Sequence, residues 1–521
     1  MPKINVSAKV IYDISSGMYR SPANALKELI SNAFDADAKN VVIRTNRPLY
    51  KTITYYDNGE GMSAIDFQWA MSHIGGSRKR EGETKPFTKK GRPIIGKIGI
   101  GILAIAQICK SFTVISSQKG AKTKFEAIVD LKDFEAPEVY KLVLGDKDIP
   151  IGNYTLTEYK EDVDAQYTKF ILQEIKEDFK SDLEDERENF IDYSRHDKGQ
   201  QTIFPSTDSR DFRAFINWLQ KIDIRQLKDY WRLLWELALF SPLEYFDDGP
   251  VLHQKILTKK KKELSSYDFT VDVDGFILKK PILLPVDKDI ITKDIDYGIY
   301  LIDSEKAGID PGEIKFTGYI YNQRKQIKNT ELQGILIRIK NVAIGKYDKS
   351  YLNCPISLGP VASFNSGEIY ISDGLEAALN IDRNSFKESN RHYKILQKYV
   401  YELMSKIYRD TRKRSEDRIA RKKEDKLKEE RKKIQNSLKL LSESYPIRFK
   451  TVKYVSSENP ETPIKGEDNA ITIFTKHRIF ETRGVDKIIL EKILILLQAY
   501  KSDEPESDAK YYKTLMDYLK K

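Results

Sequence analysis

The segment ELISNAFDADA, residues 28–38, places polar side chains inside an apolar helical pattern. Glu28 and Asn32 are four residues apart, so they share one face of the predicted helix, and Asp35 lies on the same side. That face should be buried, so a polar partner must lie opposite it. An amide oxygen can complete the oxygen shell of a Mg²⁺ ion that also binds phosphate. A carboxylate one turn earlier can orient water for attack on a phosphoryl group, although a capped surface helix would give a similar pattern.

A strand-like run, KTITYYD, ends at Asp57 and continues as DNGEGM, residues 57–62. Glycines at a strand end can adopt positive φ and bring the backbone close to a ligand. A carboxylate at this point can accept a hydrogen bond from an exocyclic amine, which would select adenine over guanine. A tight turn of the Asp-Gly type is the alternative interpretation of the same residues.

Three glycines, Gly96, Gly99 and Gly101, precede an apolar helical run in IGKIGIGILA, residues 95–104. Amides at a helix N-terminus can bind phosphate, although the spacing is neither that of a P-loop nor that of a dinucleotide fingerprint. The stretch before it, at about 63–95, is rich in Gly, Lys and Arg and has little apolar periodicity. This composition predicts a long loop that acts as a lid.

Taken in order, ELISNAFDADA, DNGEGM and IGKIGIGILA resemble the motifs of the GHKL ATPases, the superfamily of gyrase, the heat-shock-protein-ninety chaperones, histidine kinases and MutL. The resemblance implies a Bergerat-type α/β sandwich with ATP and Mg²⁺ as cofactors. It implies that Glu28 is the general base for ATP hydrolysis, Asn32 the magnesium ligand and Asp57 the adenine-binding acid. The other residues that it implies for nucleotide contact are Asp35, Gly61, Met62, Gly96, Lys97, Ile98, Gly99, Ile100, Gly101 and Thr155, the last as the threonine that closes the adenine site.

Further segments narrow the resemblance. GGSRKR is similar to lid segments of MORC and MutL proteins, in which Ser77 and Lys79 would approach the phosphates. GILIRIKNVAI, followed by ISDGLEAALNIDRNSFKES, resembles the middle domain of the heat-shock-protein-ninety chaperones. That domain supplies an asparagine and an arginine to the nucleotide, and the corresponding positions are Asn380 and Arg383. Lys340 is a further candidate for a phosphate-facing role, whereas Arg383 could also be an ordinary surface residue at a helix start.

The 521 residues are too many for one hydrophobic core, and helical patterns alternate with short β-branched runs. We therefore predict an α+β multidomain protein. The predicted domains are a GHKL ATP-binding domain at 1–160, a helical connector at 161–250, an α+β middle (transducer-like) domain at 251–386, a long charged helix at 387–440 and a small C-terminal α+β module at 441–521. The charged part of the long helix has acids interspersed with bases, which favours a solvated helix over a nucleic-acid-binding arm.

The amino-acid composition limits which partners the protein can have. The net charge of +10 permits binding to nucleic acid or an acidic protein without requiring it. Cys109 and Cys354 lie far apart and the histidines have no ligand spacing, so neither a disulfide framework nor a zinc site is supported. The opening MPKINVSAKV lacks the apolar core of a signal peptide, and no long uncharged apolar run follows. We expect a cytoplasmic protein with no membrane partner.

The resemblance implies an ATP-gated dimeric clamp that hydrolyses ATP and remodels protein partners. Its expected partners are ATP, a second copy of the chain in the ATP-bound state, and a client protein. An alternative is a MORC- or MutL-like clamp that engages DNA, for example in bacterial antiphage defence. A third interpretation is a nucleotide-regulated scaffold without turnover.

Overall fold

The chain forms two compact units, Met1–Thr411 and Arg412–Lys521. Both contain helices and strands, so the predicted α+β multidomain class is confirmed. The computed structural model describes residues 22–73, 87–96, 105–131, 152–183, 189–191, 201–203, 211–219, 229–246, 255–280, 297–327, 329–356, 358–380, 384–444, 449–456, 461–484 and 486–499. Within this part of the chain, no helix has the length and apolarity needed to cross a membrane.

The helices of the described residues are α1 (Pro22–Asp35), α2 (Ala64–Ser72), α3 (Glu177–Leu183), α4 (Phe212–Leu219), α5 (Asp229–Phe240), α6 (Lys255–Ser266), α7 (Arg391–Ser444) and α8 (Lys487–Ala499). The strands of the first unit are β1 (Asn40–Arg44), β2 (Ile53–Asp57), β3 (Cys109–Ser117), β4 (Thr123–Asp130), β5 (Asn153–Lys160), β6 (Tyr167–Ile175), β7 (Asn189–Ile191), β8 (Gln201–Ile203), β9 (Thr270–Val273), β10 (Phe276–Ile277), β11 (Tyr297–Asp303), β12 (Lys315–Gln323), β13 (Gly334–Ile339), β14 (Val342–Asp348) and β15 (Asn365–Asp373). The strands of the second unit are β16 (Thr451–Val455), β17 (Ile464–Glu467) and β18 (Ala470–Phe474).

An eight-stranded sheet organises the first part of the first unit, in the order β10-β9-β1-β2-β6-β3-β4-β5. Neighbouring strands are antiparallel, except that β1 and β9 are parallel. Helix α1 lies against this sheet because the Tyr55 hydroxyl of β2 donates to the Leu29 carbonyl of α1 at 2.9 Å. The buried face of α1 repeats with helical spacing, and its core residues are Leu26, Leu29, Ile30, Ala33 and Phe34.

Two features of this sheet differ from the sequence interpretation. The run around YTKFILQEI is predicted to be helical, but it forms β6, in the middle of the sheet. Because β6 pairs with β2 on one side and β3 on the other, long-range pairing decides its conformation. Strands β9 and β10 fall in the predicted middle domain, yet they extend the first sheet through β1. The first sheet thus continues past residue 160.

A second sheet in the first unit has the order β11-β12-β15-β13-β14. The first part of α7 packs on this sheet, since Leu396, Val400 and Met404 are buried in one cluster with Ile320 and Ile369. Strands β13 and β14 form a hairpin with a two-residue turn, Lys340 and Asn341, which the next section places beside the first sheet.

The second unit is built on the three-stranded sheet β16-β18-β17. Its core contains Ile434 and Leu438 from the last part of α7 together with Leu490 and Leu494 from α8. The apolar side chains of α8 thus cover a small sheet, which is the α+β arrangement predicted for the C-terminal module.

Candidate functional site

The carboxyl end of β2 carries a buried carboxylate. Asp57 is 5% exposed, and its Oδ1 accepts a hydrogen bond from the Gly59 amide at 2.9 Å. Burial raises the pKa of Asp57 to about 6, although the hydrogen bond from the Gly59 amide and the nearby Tyr55 hydroxyl partly oppose that rise. The carboxylate can accept further hydrogen bonds, and a donor such as a ligand amine would stabilise its ionised form.

A row of polar side chains continues from Asp57 across the neighbouring strands. Thr168 of β6 stands opposite Asp57 in the register, and Ser116 of β3 stands opposite Thr168. Directly opposed residues share one face of a sheet. The Ser116 and Thr168 hydroxyls are 3.1 Å apart, and Ser116 also accepts from the Met62 amide at 2.8 Å. The row therefore joins Asp57 to the end of the 57–62 turn.

Thr168, and not Thr155, is the threonine that stands next to Asp57 in the sheet. Thr155 lies exposed on β5, and three strands, β6, β3 and β4, separate it from Asp57. The described sheet does not bring Thr155 next to Asp57, so its role in an adenine site stays a prediction that this geometry does not favour. The signal that could have identified Thr168 was the three β-branched residues of YTKFILQEI, which favour a strand, in a run interpreted as helix.

The turn after Asp57 is tightly enclosed. Gly61 has φ +71°, and a Cβ there would lie 2.0 Å from the Ser117 carbonyl oxygen. A Cβ at Gly59 would lie 2.8 Å from Asp57 Oδ1 and 2.9 Å from the Cβ of Ala36. Only glycine fits at these two positions, so the backbone passes between the end of α1 and β3. Met62, half-buried, packs against the core at the end of this turn.

Helix α1 presents its predicted functional residues along one side. Glu28 is half-buried and Asn32 is exposed. Asp35 binds the protein itself, because its two carboxylate oxygens accept from the Ile95 and Gly96 amides, each at 2.7 Å. Residues 95–104, called the glycine segment below, are thereby fixed at their start to the C-terminal end of α1. This pairing was not foreseen from the sequence.

The residues just before the glycine segment, 87–94, also contact the C-terminal end of α1. The Thr88 hydroxyl donates to Asp37 Oδ1 at 2.6 Å, and the Lys90 ammonium donates to the Asp37 carbonyl at 2.7 Å. Arg92, 1% exposed, donates to the carbonyls of Phe34 at 3.2 Å and Ala38 at 2.7 Å. The end of the predicted lid is thus anchored beside α1.

The second sheet reaches this anchor. The Lys340 ammonium at the tip of the β13–β14 hairpin donates to the Ile94 carbonyl at 3.1 Å and lies 3.5 Å from a Glu376 carboxylate oxygen. Lys340 is therefore next to the segment that leads into the glycines. Asn380 lies in the loop after β15, where its side-chain amide donates to the Ser385 hydroxyl at 2.8 Å.

Several predicted site residues lie outside the described residues. They are Ser77, Lys79, Lys97, Ile98, Gly99, Ile100, Gly101 and Arg383.

The described geometry agrees with a comparison against protein families. The family model described as histidine kinase-, DNA gyrase B- and HSP90-like ATPase matches residues 19–149. That range contains α1, the 57–62 turn and Gly96, and it ends before β6. The comparison with curated proteins returned no match. The chain therefore contains an ATP-binding domain of the GHKL superfamily.

Proposed function

We propose that this domain binds ATP with Mg²⁺ between α1 and the Asp57 row and hydrolyses it to ADP and phosphate. The observation that carries the proposal is the buried row of Asp57, Thr168 and Ser116 beside a turn in which only glycine fits. A planar amine-bearing base could enter there, since the buried carboxylate accepts from the amine and the Thr168 hydroxyl bonds a neighbouring ring atom.

The phosphates would then lie along α1 toward Gly96. Asn32 is exposed on that helix, and its side-chain oxygen is free of the amide pairing that occupies Asp35. One amide oxygen fits a Mg²⁺ site, because Mg²⁺ takes few protein ligands and completes its shell with phosphate and water oxygens. When bound, the ion would neutralise phosphate charge. Glu28, one turn before Asn32, would accept the proton of the attacking water.

Lys340 supports a role for the second sheet in this chemistry. It has φ +50° although it carries a full side chain, a conformation that costs about 1–2 kcal/mol. The Lys340 ammonium lies beside Ile94, two residues before Gly96, so its charge is close to the proposed phosphate site. Arg383 and Asn380 are proposed to act there too, as the resemblance implies. A cation brought to a γ-phosphate from another domain raised rates by about 10³ to 10⁵ in GTPases.

We propose that ATP binding and hydrolysis open and close the protein as a clamp. ATP would favour the closed lid and the association of two ATP-binding domains, and hydrolysis would release them, since a ligand shifts only an equilibrium whose states it binds unequally. The sequence similarity around Asn380 supports a remodeller of protein partners in the cytoplasm. The net charge of +10 and the lid segment GGSRKR support the second candidate, a clamp on DNA.

Phosphate release tests the activity. Glu28→Gln keeps the size of the side chain but removes the base, so it should bind ATP normally and hardly hydrolyse it. If Glu28→Gln matches the native rate, Glu28 is not the base. If the native protein binds ATP but releases no phosphate, the protein is a nucleotide-regulated scaffold instead.

Retention on DNA discriminates between the two kinds of clamp. A DNA clamp should be retained on DNA in a salt-dependent way, and a non-hydrolysable ATP analogue should increase that retention. A remodeller of proteins should show no such increase and should dimerise with the analogue in the absence of DNA.

A further inference from the structure

The two-residue turn of the β13–β14 hairpin is left-handed at both positions, as a type I′ turn requires. Lys340 has φ +50° and Asn341 has φ +68°. Two-residue hairpin turns of this kind favour asparagine and glycine, so Asn341 suits its position and Lys340 does not. Something besides local backbone preference must therefore hold the turn in place.

Asn341 supplies that hold. Its side chain is buried at 2% exposure, and its amide nitrogen donates to Glu263 Oε1 at 2.9 Å and to the Tyr267 hydroxyl at 3.3 Å. A carboxylate only accepts, so the nitrogen must be the atom that faces Glu263. The backbone carbonyl of Asn341 accepts a hydrogen bond from the buried Lys280 side-chain nitrogen at 3.2 Å. The turn is thus bound from both sides.

Glu263 is a strong acceptor for this purpose. Burial raises its pKa, but the nearby Lys260 ammonium and the hydrogen bonds it receives lower the pKa by more, so the net shift is downward. Lys260 lies 2.7 Å from Glu263 Oε2, and the Tyr267 hydroxyl donates to Oε1 at 2.8 Å. Glu263 is therefore ionised near neutral pH, and its bond with Asn341 is charge-assisted.

The residues that hold Asn341 are themselves fixed to the nucleotide site. The Tyr267 carbonyl accepts from the Arg92 guanidinium, which also donates to the Ala38 carbonyl at 2.7 Å. The Tyr267 ring meets the Phe34 ring edge-on, with centroids 5.2 Å apart. Phe34 belongs to α1, the helix that carries Glu28 and Asn32. The hairpin tip is therefore held relative to the same helix that would bind the phosphates.

We propose that Asn341 is a positioning residue: through Glu263 and Tyr267 it fixes the β13–β14 turn so that Lys340 reaches the nucleotide site. This role rests on the proposed function, because it assigns Asn341 an effect on ATP hydrolysis only through Lys340. It also gives the second sheet a defined mechanical connection to the end of α1. Movement of residues 92–96 on nucleotide binding would reach the second sheet by this route.

A double-mutant cycle tests the proposal in the full-length protein. Asn341→Gly keeps the left-handed backbone and removes the side-chain bonds. We expect kcat for ATP hydrolysis to fall about tenfold or more while KM stays within about twofold, since small misplacements reduce rate more than binding. Lys340→Ala should lower kcat by a similar factor, and adding Asn341→Gly to it should have no further effect.

Asn353→Gly is the matched control. Asn353 is another left-handed asparagine in the first unit, with φ +60°, and its amide pairs with Glu388 instead. This variant should keep the native kcat. If Asn341→Gly does not fold, Tyr267→Phe serves instead, because it removes the hydroxyl but not the carbonyl that accepts from Arg92, and it should show a smaller fall with the same dependence on Lys340.

The outcomes separate the two levels of the argument. If the native protein does not hydrolyse ATP, or Lys340→Ala keeps the native kcat, the proposed role of Lys340 fails and the positioning role with it. If Lys340→Ala lowers kcat but Asn341→Gly does not, or the two effects multiply independently, only the positioning role is overturned. A fall of the same size in Asn353→Gly would also overturn it.

Discussion

Replacing Asp57 with asparagine should stabilise the protein and weaken its binding of nucleotide. Burial raises the pKa of Asp57 from its ordinary 3.8 to about 6, so the folded protein holds the proton more tightly than the unfolded chain. The free energy of unfolding therefore falls as pH rises from about 4 to about 6. At about 1.4 kcal/mol per pH unit, the ionised carboxylate costs about 3 kcal/mol at pH 7.5 and about 1.6 kcal/mol at pH 5.

The amide side chain in the Asp57→Asn variant would avoid this cost and keep most local contacts. Its oxygen can still accept from the Gly59 amide, and its nitrogen can donate to the Tyr55 hydroxyl oxygen, whose own proton goes to the Leu29 carbonyl. Nucleotide affinity should nevertheless fall about 10- to 150-fold, because a charge-assisted hydrogen bond to the base, about 1.5–3 kcal/mol, is lost.

Denaturant unfolding at pH 5 and pH 7.5, together with calorimetric titration with Mg-ADP, measures both effects. Asp57→Asn should exceed the native protein in stability, by about 1.4 kcal/mol more at pH 7.5 than at pH 5. Asp164→Asn is the matched control, since Asp164 is an exposed acid 3.8 Å from Lys119 and should change neither property. A variant that is less stable at both values of pH, or that binds Mg-ADP as the native protein does, would refute the reasoning.

Substitutions at Glu28, Thr168 and Gly61 test the rest of the pocket. Glu28→Ala should lower turnover about 10²- to 10⁴-fold in a phosphate-release assay and leave ATP affinity unchanged, and a loss of affinity instead would make Glu28 a binding residue. Thr168→Val should weaken Mg-ADP binding about five- to tenfold through one lost hydrogen bond, whereas Thr155→Val should not; the reverse result would restore Thr155 to the site. Gly61→Ala should lower the denaturation midpoint and weaken binding, because its φ of +71° and the Ser117 carbonyl leave no space for a Cβ, so an unchanged midpoint would mean a more open turn.

Calorimetry in buffers of different ionisation enthalpy gives an independent test of Asp57. If the bound amine requires the ionised carboxylate, binding at pH 6 should release about half a proton from this group, and almost none at pH 8. Asp57→Asn should remove that release. Equal proton release by the two proteins would assign the raised pKa to a group that the nucleotide does not contact.

The sequence predicts best the features that depend on local spacing. Glu28 and Asn32 fall on one helix because their spacing and the apolar pattern around them agree, and Asp57 falls at a strand end because glycines follow it. The GHKL resemblance uses the same local motifs, and the family match covers them. The branch, the domain boundaries, the dimer and the residue roles stay predictions.

Features that depend on distant pairing were not accessible in the same way. The run that forms β6 has apolar residues spaced closely enough to suit a helix, and only its position between β2 and β3 makes it a strand. Thr168 was missed for that reason. Likewise, no local sequence pattern predicts that Asp35 binds the Gly96 amide. None predicts that Lys340 contacts Ile94, which is 246 positions away in the chain.

The central claim is that ATP binds between α1 and the row formed by Asp57 and Thr168. A crystal structure of the full-length protein with Mg²⁺ and a non-hydrolysable ATP analogue tests it most directly. We predict the adenine amine within hydrogen-bond distance of Asp57, the Asn32 oxygen on the metal and the phosphates at Gly96. A triphosphate bound elsewhere, or an adenine with no contact to Asp57, would contradict the account.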